Sequence, residues 1–320
     1  MKDVAAVAGV SLSTVSRVVN GSPPVAPELA EKVGRAVEML GYRHNHAAGT
    51  LRRANGLSHS LGLIFDDVGN PFFAAIHRGV EEVARTRGVV TFAGSSDSDP
   101  ERERELTEGV LARRVDGLIL VPTAYDYTHL VRDVAAGISI VFIDRPPRTI
   151  DADCVLSDNR AGARRAVEHL IAHGHRRIAY AGPAPNGLFT AAERFEGYRA
   201  ALAAAGIGEE IVCFQDPGTL FDGDAPPTAV FSAQNLVTID VLRMLHERGL
   251  QHRVAHVGFD DILLAGSVEP GLTVVAQDAI GLGRTAAELL FSRLDGYTGA
   301  GRREVLKTTL IERGSGELSA

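Results

Sequence analysis

Near residue 60 the hydrophobic period of this chain changes, and that change restricts the possible folds more than any other feature. From Leu61 onward short apolar runs recur: LGLIF (61–65), VVTFA (89–93), GLILV (117–121), ISIVFI (138–143), RIAYAG (177–182), TAVFS (228–232) and VAHVGF (254–259). Stretches with helical spacing separate them, near 72–87, 101–114, 160–173, 192–205, 234–248 and 279–294. Strands covered on both faces read as continuous apolar runs, so the alternation predicts parallel, doubly wound α/β structure.

Upstream of the change only helical stripes are found. Val4, Val7 and Ala8 give a first helix over 2–8, broken by Gly9. Ser11 is a suitable N-cap for a second, whose inward stripe is Val15, Val18 and Val19. Pro27 opens a third that carries Leu29, Val33, Ala36, Val37 and Leu40 on one face and stops before Gly41. Three short helices of this kind predict a small all-α unit. A polar, weakly patterned stretch follows it.

Charge is distributed unevenly between these parts. Residues 1–57 hold seven basic and four acidic side chains, a balance of +3 that leaves −10 for the rest of a chain whose total is −7. A cationic end on an acidic body suits a module that approaches a polyanion. With 45% hydrophobic and 23% charged residues, the chain has enough apolar material for a sizeable core. The two cysteines, Cys154 and Cys213, lie in apolar, strand-like contexts and are expected as buried thiols. No apolar run is long enough for a membrane span and MKDVAAVAGVSLST lacks a signal-peptide core, so the cytoplasm is the expected location.

The three helices suit a helix-turn-helix, whose second helix must show short polar or basic side chains outward while its other face packs inward. With Val15, Val18 and Val19 turned in, Leu12, Ser13, Ser16, Arg17 and Asn20 fall on the outer side. Arginine's fork matches guanine O6 and N7, and Ser13, Thr14, Ser16 and Asn20 suit phosphate or mixed contacts. From these residues onward the chain resembles the LacI/GalR family of bacterial repressors. The likeness is carried by KDVAAVAGVSLSTVSRVVNG, VEMLGYRHN, TLRR, LGLIFDDVGNPFF, RRVDGLIL, FIDR, SDNRAGARRAVEHLIAHGHRRIAY, AAERFEGYRAAL, VGFDDI and LTVVAQDAIGLGRTAAELL. It implies that Leu12, Ser13 and Arg17 read bases in the major groove and that Leu51 wedges into the minor groove from a hinge helix. An apolar wedge between base steps kinks the duplex at a cost of about a few kcal/mol. Residues 45–53 are too few for a stable isolated helix and contain Gly49, so the hinge is expected to order on DNA; the other reading is a flexible linker with Leu51 exposed. Many family hinges have arginine at Gly49 and proline at His44.

The resemblance further implies a headpiece over 1–43, a hinge over 44–59, a two-lobed, periplasmic-binding-protein-like effector domain over 60–314 and a tail over 315–320. The lobes are expected at about 60–157 with 278–307, and 158–277 with 308–314. A ligand would lie between them, held by Asn70, Phe72 and Phe73 from one lobe and by Thr190, Arg194, Gln234, Asp260 and Gln277 from the other. Arginine with aspartate can grip vicinal hydroxyls, one donating and the other accepting, which suits a carbohydrate. The family has Ala-Asn-Asp where this chain has Ala233-Gln234-Asn235, making Gln234 the least secure contact.

Competing signals are weak. Gly281-Leu282-Gly283-Arg284-Thr285-Ala286 fits a dinucleotide fingerprint formally, but it lies inside a helical run. Asp97-Ser98-Asp99 and Asp222-Gly223-Asp224 lack a full calcium-loop pattern, and the first reads better as a helix cap. With no GxSxG, Walker or HExxH motif, neither an enzyme nor a cofactor is expected. A solute-binding protein without DNA activity would predict a signal peptide and no headpiece, and both predictions fail. The expected partners are operator DNA, a small carbohydrate-like effector and a second copy of the chain, with no membrane; IERGSGELSA has no heptads to build a tetramer.

One segment departs from the family. Relatives carry a three-turn helix between the strand near 211–214 and that near 228–232, where this chain offers only QDPGTLFDGDAPP, with three prolines and two glycines. One face of the second sheet is therefore expected to be thinly covered, with that lobe less stable than the first and the effector site open on one side with weakened or altered affinity; the alternative is that Phe214, Leu220 and Phe221 fold back to plug the gap.

Overall fold

The computed structural model describes residues 1–19, 25–42, 57–123, 126–208, 210–214 and 216–320. The chain divides into two compact units, Met1–Ser58 and His59–Ala320. Asn20, Leu51 and most of the expected hinge lie outside the described residues.

The first unit contains α1 (Lys2–Ala8), α2 (Leu12–Val19) and α3 (Pro27–Met39). Gly9 adopts φ 63°, a left-handed conformation that closes α1 without the penalty a Cβ would impose. The Ser11 hydroxyl accepts a hydrogen bond from the Thr14 amide at 3.1 Å and so caps α2. Val4, Ala5, Val15, Val33 and Ala36 form the buried centre, with Val18, Val19 and Val37 half-buried around it. Three expected core positions are not in it: Leu29 is half-buried, Val7 is 49% exposed and Leu40 43% exposed. In α1 the inward face is Val4, Ala5 and Ala8, because two turns of helix leave the 3.6-residue period ambiguous by one position.

The second unit has two sheets of six strands. The first is β1 (Ser60–Phe65), β2 (Val90–Ser95), β3 (Gly117–Leu120), β4 (Ser139–Ile143), β5 (Asp153–Ser157) and β11 (Arg303–Leu306); the second is β6 (Ile178–Ala181), β7 (Ile211–Cys213), β8 (Ala229–Ser232), β9 (Ala255–Phe259), β10 (Thr273–Ala276) and β12 (Thr309–Ile311). Their orders, β11-β5-β4-β3-β1-β2 and β12-β10-β9-β8-β6-β7, correspond strand for strand. All pairings are parallel except β10 with β12.

Helices α4 (Pro71–Thr86), α5 (Pro100–Ala112), α6 (Val131–Ala135), α7 (Asn159–Ala172), α8 (Phe189–Ala204), α9 (Asn235–Glu247) and α10 (Ala279–Leu294) cover the sheets. The chain passes between lobes after β5, after β10 and after β11, so α7 packs on α8 in the second lobe and α10 on α4 in the first. At the α4–α10 crossing Gly79 and Gly283 face backbone of the opposite helix, with no room for a Cβ. The glycines of the apparent dinucleotide fingerprint are therefore interior to α10, where Gly283 permits helix contact and Asp278 caps the N-terminus through the Gly281 amide at 2.8 Å.

The helix missing from 215–227 is replaced by a 3-10 turn, Pro217–Phe221, capped by Asp216, which accepts from the Gly218 amide at 2.9 Å. Leu220 and Phe221 fold back against Ala179, Val230, Val241 and Leu245 and cover the sheet face. Phe214 takes another route, 41% exposed, with its ring edge-on to Tyr180 and Phe195. Residues 315–318, set apart as a tail in the sequence, are fixed to the second lobe. Ser315 donates to the His256 carbonyl at 2.6 Å, Glu317 accepts from Thr273 Oγ1 at 2.8 Å, and Leu318 O bonds His175 Nε2 at 2.8 Å. These partners lie far away in sequence, so periodicity carries no sign of them. Cys154 and Cys213 are buried and unbridged.

Candidate functional site

In the small unit the outer face of α2 carries the side chains expected to meet DNA. Leu12 is 45% exposed, Ser13 and Arg17 are exposed, and Thr14 and Ser16 are half-buried. The Ser11 hydroxyl lies 2.7 Å from Ser13 Oγ and 2.9 Å from Thr14 Oγ1, so part of the hydroxyl set is committed to the helix start. Ser13 and Arg17 thus stand opposite the buried Val15, and Leu12, one turn before Val15, is exposed at the start of the helix.

In the large unit all eight expected ligand residues line one cavity of about 320 Å³ between the lobes. They lie at the carboxyl ends of strands and the starts of helices, where doubly wound sheets hold ligands. Asn70 N-caps α4 by accepting from the Phe72 amide at 3.0 Å. Phe73, buried, stacks on Phe65 at 6.0 Å, while Phe72 meets it edge-on at 5.3 Å and forms an apolar wall. Thr190 and Arg194 sit one turn apart at the start of α8. Arg194, 5% exposed, donates from Nε to Asn159 Oδ1 at 2.7 Å and from Nη1 to the Ala233 carbonyl at 2.8 Å, with its guanidinium 3.9 Å from the Phe259 ring centroid. Gln277, after β10, donates to Asp260 Oδ1, after β9, at 2.5 Å. Gln234 precedes α9 and makes no cap bond with its side chain.

Sequence reasoning missed several wall residues: Asp66, Asp67, Asp97, Ser98, Asp144, Arg145 and Asn235. Arg145 donates to Asp66 Oδ2 at 3.1 Å and to the Pro122 carbonyl at 3.0 Å. Burial pushes the Asp144 carboxyl up, against the opposing pull of Arg145 and Arg194. Asp144 Oδ1, Arg145 Nε and Gln277 Oε1 are buried without hydrogen-bond partners among the described residues. A signal for Asp144 existed in the repeated topology. Asp144 and Asp260 each follow the fourth strand of their lobe, adopt φ 69° and 77°, and donate their amides at 2.9 Å to Val155 and Val275, residues of the neighbouring strands. Asn235, hidden in sequence beside Gln234, crosses the cleft: its Nδ2 donates to Asn70 Oδ1 at 2.7 Å. Chemically the cavity can hold a polyhydroxylated molecule, with acceptors and donors from both lobes and an aromatic wall for its C–H face.

Among the described residues, no helix is long and apolar enough to cross a membrane and no cluster of potential metal ligands is present.

Comparison with known proteins bears on both sites. Residues 1–45 match the family model "Bacterial regulatory proteins, lacI family", 58–216 match "Periplasmic binding proteins and sugar binding domain of LacI family", and 167–316 match "Periplasmic binding protein-like domain". The ribose operon repressor of Escherichia coli K12 is 32% identical, with 98% of this chain and 99% of the repressor covered. A transcriptional regulator CelR–cellobiose complex is 33% identical with a TM-score of 0.70, covering 98% of both chains. The lac repressor dimer bound to operator and an anti-inducer is 27% identical with a TM-score of 0.85, again over 98% of both chains.

Proposed function

Because the chain belongs to the LacI family of bacterial transcription regulators, whose members regulate transcription rather than catalyse reactions, we propose that it is a cytoplasmic repressor whose affinity for an operator is set by a sugar held between its lobes. The observation that carries this reading is the convergence of Asn70, Phe72, Phe73, Thr190, Arg194, Gln234, Asp260 and Gln277, dispersed through the sequence and drawn from both lobes, on one cavity. A ligand there touches both lobes at once and so favours the arrangement in which both can reach it. Binding free energy is thereby coupled to the arrangement of the lobes, and reciprocity requires operator binding to alter effector affinity by the same factor.

In this mechanism Asp260 and Gln277 accept and donate to ring hydroxyls, and Arg194, oriented by Asn159 and the Ala233 carbonyl, donates to the same edge. Phe72 and Phe73 cover a C–H face. On the DNA side Arg17 reads a base while Leu12 and Ser13 complete the major-groove surface, with Thr14, Ser16 and Asn20 supporting it and Leu51 entering the minor groove. One headpiece offers few base contacts, so two copies related by a two-fold axis bind a pseudo-palindromic site as a homodimer.

The test is to select operators from random DNA with the full chain and then to screen sugars for release. A palindromic consensus, and a sugar that changes its affinity, are expected. Enrichment of no consensus would refute the DNA reading, and a consensus that no sugar affects would refute the effector reading.

A further inference from the structure

The cleft carries more carboxylates than cationic side chains. Among the described residues five carboxylates line it, Asp66, Asp67, Asp97, Asp144 and Asp260, against two guanidiniums, Arg145 and Arg194, and no lysine. Each guanidinium already commits two N–H groups within the protein, Arg145 to Asp66 and the Pro122 carbonyl, and Arg194 to Asn159 and the Ala233 carbonyl, which leaves fewer donors for an anion. A phosphate would otherwise be received by helix N-termini, whose free amides and dipole favour anions. At two of the helix starts facing the cavity that route is blocked internally. Asn70 Oδ1 takes the Phe72 amide at 3.0 Å, and Asn235 Oδ1 takes the Leu236 amide at 2.9 Å.

The buried polar atoms left without hydrogen bonds point the same way. Asp144 Oδ1 and Gln277 Oε1 are acceptors without a hydrogen bond, and Arg145 Nε is a donor whose ion-pair partner, Asp144 Oδ2, lies at 3.5 Å, too long for a good hydrogen bond. A hydroxyl satisfies either kind, donating to the first two and accepting from the third, whereas a carboxylate or phosphate oxygen can only accept. An anion would add like charge beside carboxylates in a partly desolvated cleft, which weakens its binding. The cavity, about 320 Å³, lies at the small end of the roughly 300–1,000 Å³ spanned by ligand pockets.

Resting on the reading of this cleft as the effector site, we propose that the effector is an uncharged polyhydroxylated molecule of a single sugar ring and that the cleft rejects phosphorylated and carboxylated sugars. The experiment is calorimetry and thermal shift on the full chain with aldopentoses and aldohexoses, their phosphates, the corresponding sugar acids, and cellobiose. A neutral monosaccharide should bind, with an affinity that varies less than about twofold between low and high salt, because no net charge is brought to the cleft. Its phosphate and its acid should bind at least ~100-fold more weakly. Asp67→Lys alters an exposed residue of the cavity wall and should narrow that gap, taken as the ratio of neutral to anionic affinity within the same variant, by about tenfold. An anionic sugar binding tighter than its neutral parent overturns the charge selection, and so does an unchanged gap in Asp67→Lys; cellobiose binding tighter than every monosaccharide overturns the size limit. In each of those cases the cleft is still an effector site. Binding by no member of the panel, neutral or charged, overturns the sugar reading itself.

Discussion

Asn235 and Asn70 join the two lobes face to face across the cleft, the Nδ2 of Asn235 donating to Asn70 Oδ1 at 2.7 Å. Each belongs to a helix start, Asn70 as the cap of α4 and Asn235 as the first residue of α9, and each is buried. The bond therefore ties the position of one helix to that of another on the opposite lobe. It forms only when the lobes approach, so it contributes to closure and not to the folding of either lobe alone.

Asn235→Ala should leave the chain folded and weaken effector binding by about 5- to 30-fold, the worth of one buried hydrogen bond of about 1–2 kcal/mol. Asn70→Ala should do more, because α4 also loses its cap, about 1 kcal/mol of stability. Calorimetry with the sugar that emerges from the release screen, together with melting temperatures, separates the two. Equal effector affinity in wild type and Asn235→Ala would show that the pair does not hold the cleft shut.

Arg194→Ala should abolish the effector response while operator affinity stays within about twofold, since coupling needs the ligand contact and DNA binding does not. The variant also strands Asn159 Oδ1 and the Ala233 carbonyl, so stability should fall by about 1–3 kcal/mol. Retained effector affinity in titrations of this variant would remove Arg194 from the ligand contacts.

How far the sequence disclosed this architecture differs by element. LGLIF, GLILV and VAHVGF announced β1, β3 and β9 because strands sandwiched between helices are apolar throughout, and their spacing announced the helices between them. The cleft was half legible. Phe72, Arg194 and Asp260 were found by family likeness, but Asp144 and Arg145 look like any polar residues ending a strand until the sheet shows β4 and β9 to be equivalent. Asn235 was not singled out beside Gln234, because nothing in the sequence tells that the first residue of α9 faces the opposite lobe. The anchoring of Glu317 and Leu318 by Thr273 and His175 depends on pairs remote in sequence, which no local period encodes.

Arg17→Ala should cost about 1–3 kcal/mol per half-site on the selected operator and relax base preference at one position, with little loss on random DNA. The observation behind this is the exposed position of Arg17 on the face of α2 opposite Val15. Binding assays on consensus and scrambled duplexes at one salt concentration decide it. Equal losses on both would make Arg17 a phosphate contact.

Asp153 makes stability depend on acid in a definite direction. Burial raises its carboxyl, but hydrogen bonds from Arg293, Arg302 and the Arg302 amide outweigh burial and hold it far below the usual carboxylate range. A depressed folded pKa gives stability that is complete above the unfolded value of about 3.9 and is lost as pH falls toward the folded value. Asp153→Asn should therefore cost about 3–5 kcal/mol at neutral pH, leaving two arginines without their shared partner, and progressively less below pH ~4. Urea melts of both proteins across that range test it. A difference that stays constant with pH would show that the loss is one of packing and not of charge.

The 3-10 turn Pro217–Phe221 must do the work of a three-turn helix, and hydrogen exchange shows whether it does. Leu220 and Phe221 press on Ala179 of β6 and Val230 of β8, both wholly buried, so the amides of those two strands should open only with the lobe as a whole. Strand β7 is different: three residues long, at the sheet edge, and followed by a turn with exposed Thr219 and Asp222, it should exchange by local opening several orders of magnitude faster. Phe221→Ala removes most of the plug's apolar surface and should cost about 2–3 kcal/mol, bringing β6 and β8 toward the rate of β7 while leaving β1 and β3 in the other lobe unchanged. If wild-type β6 and β8 already exchange far faster than β1 and β3, two side chains do not replace a helix, and the second lobe is the weak half of the molecule.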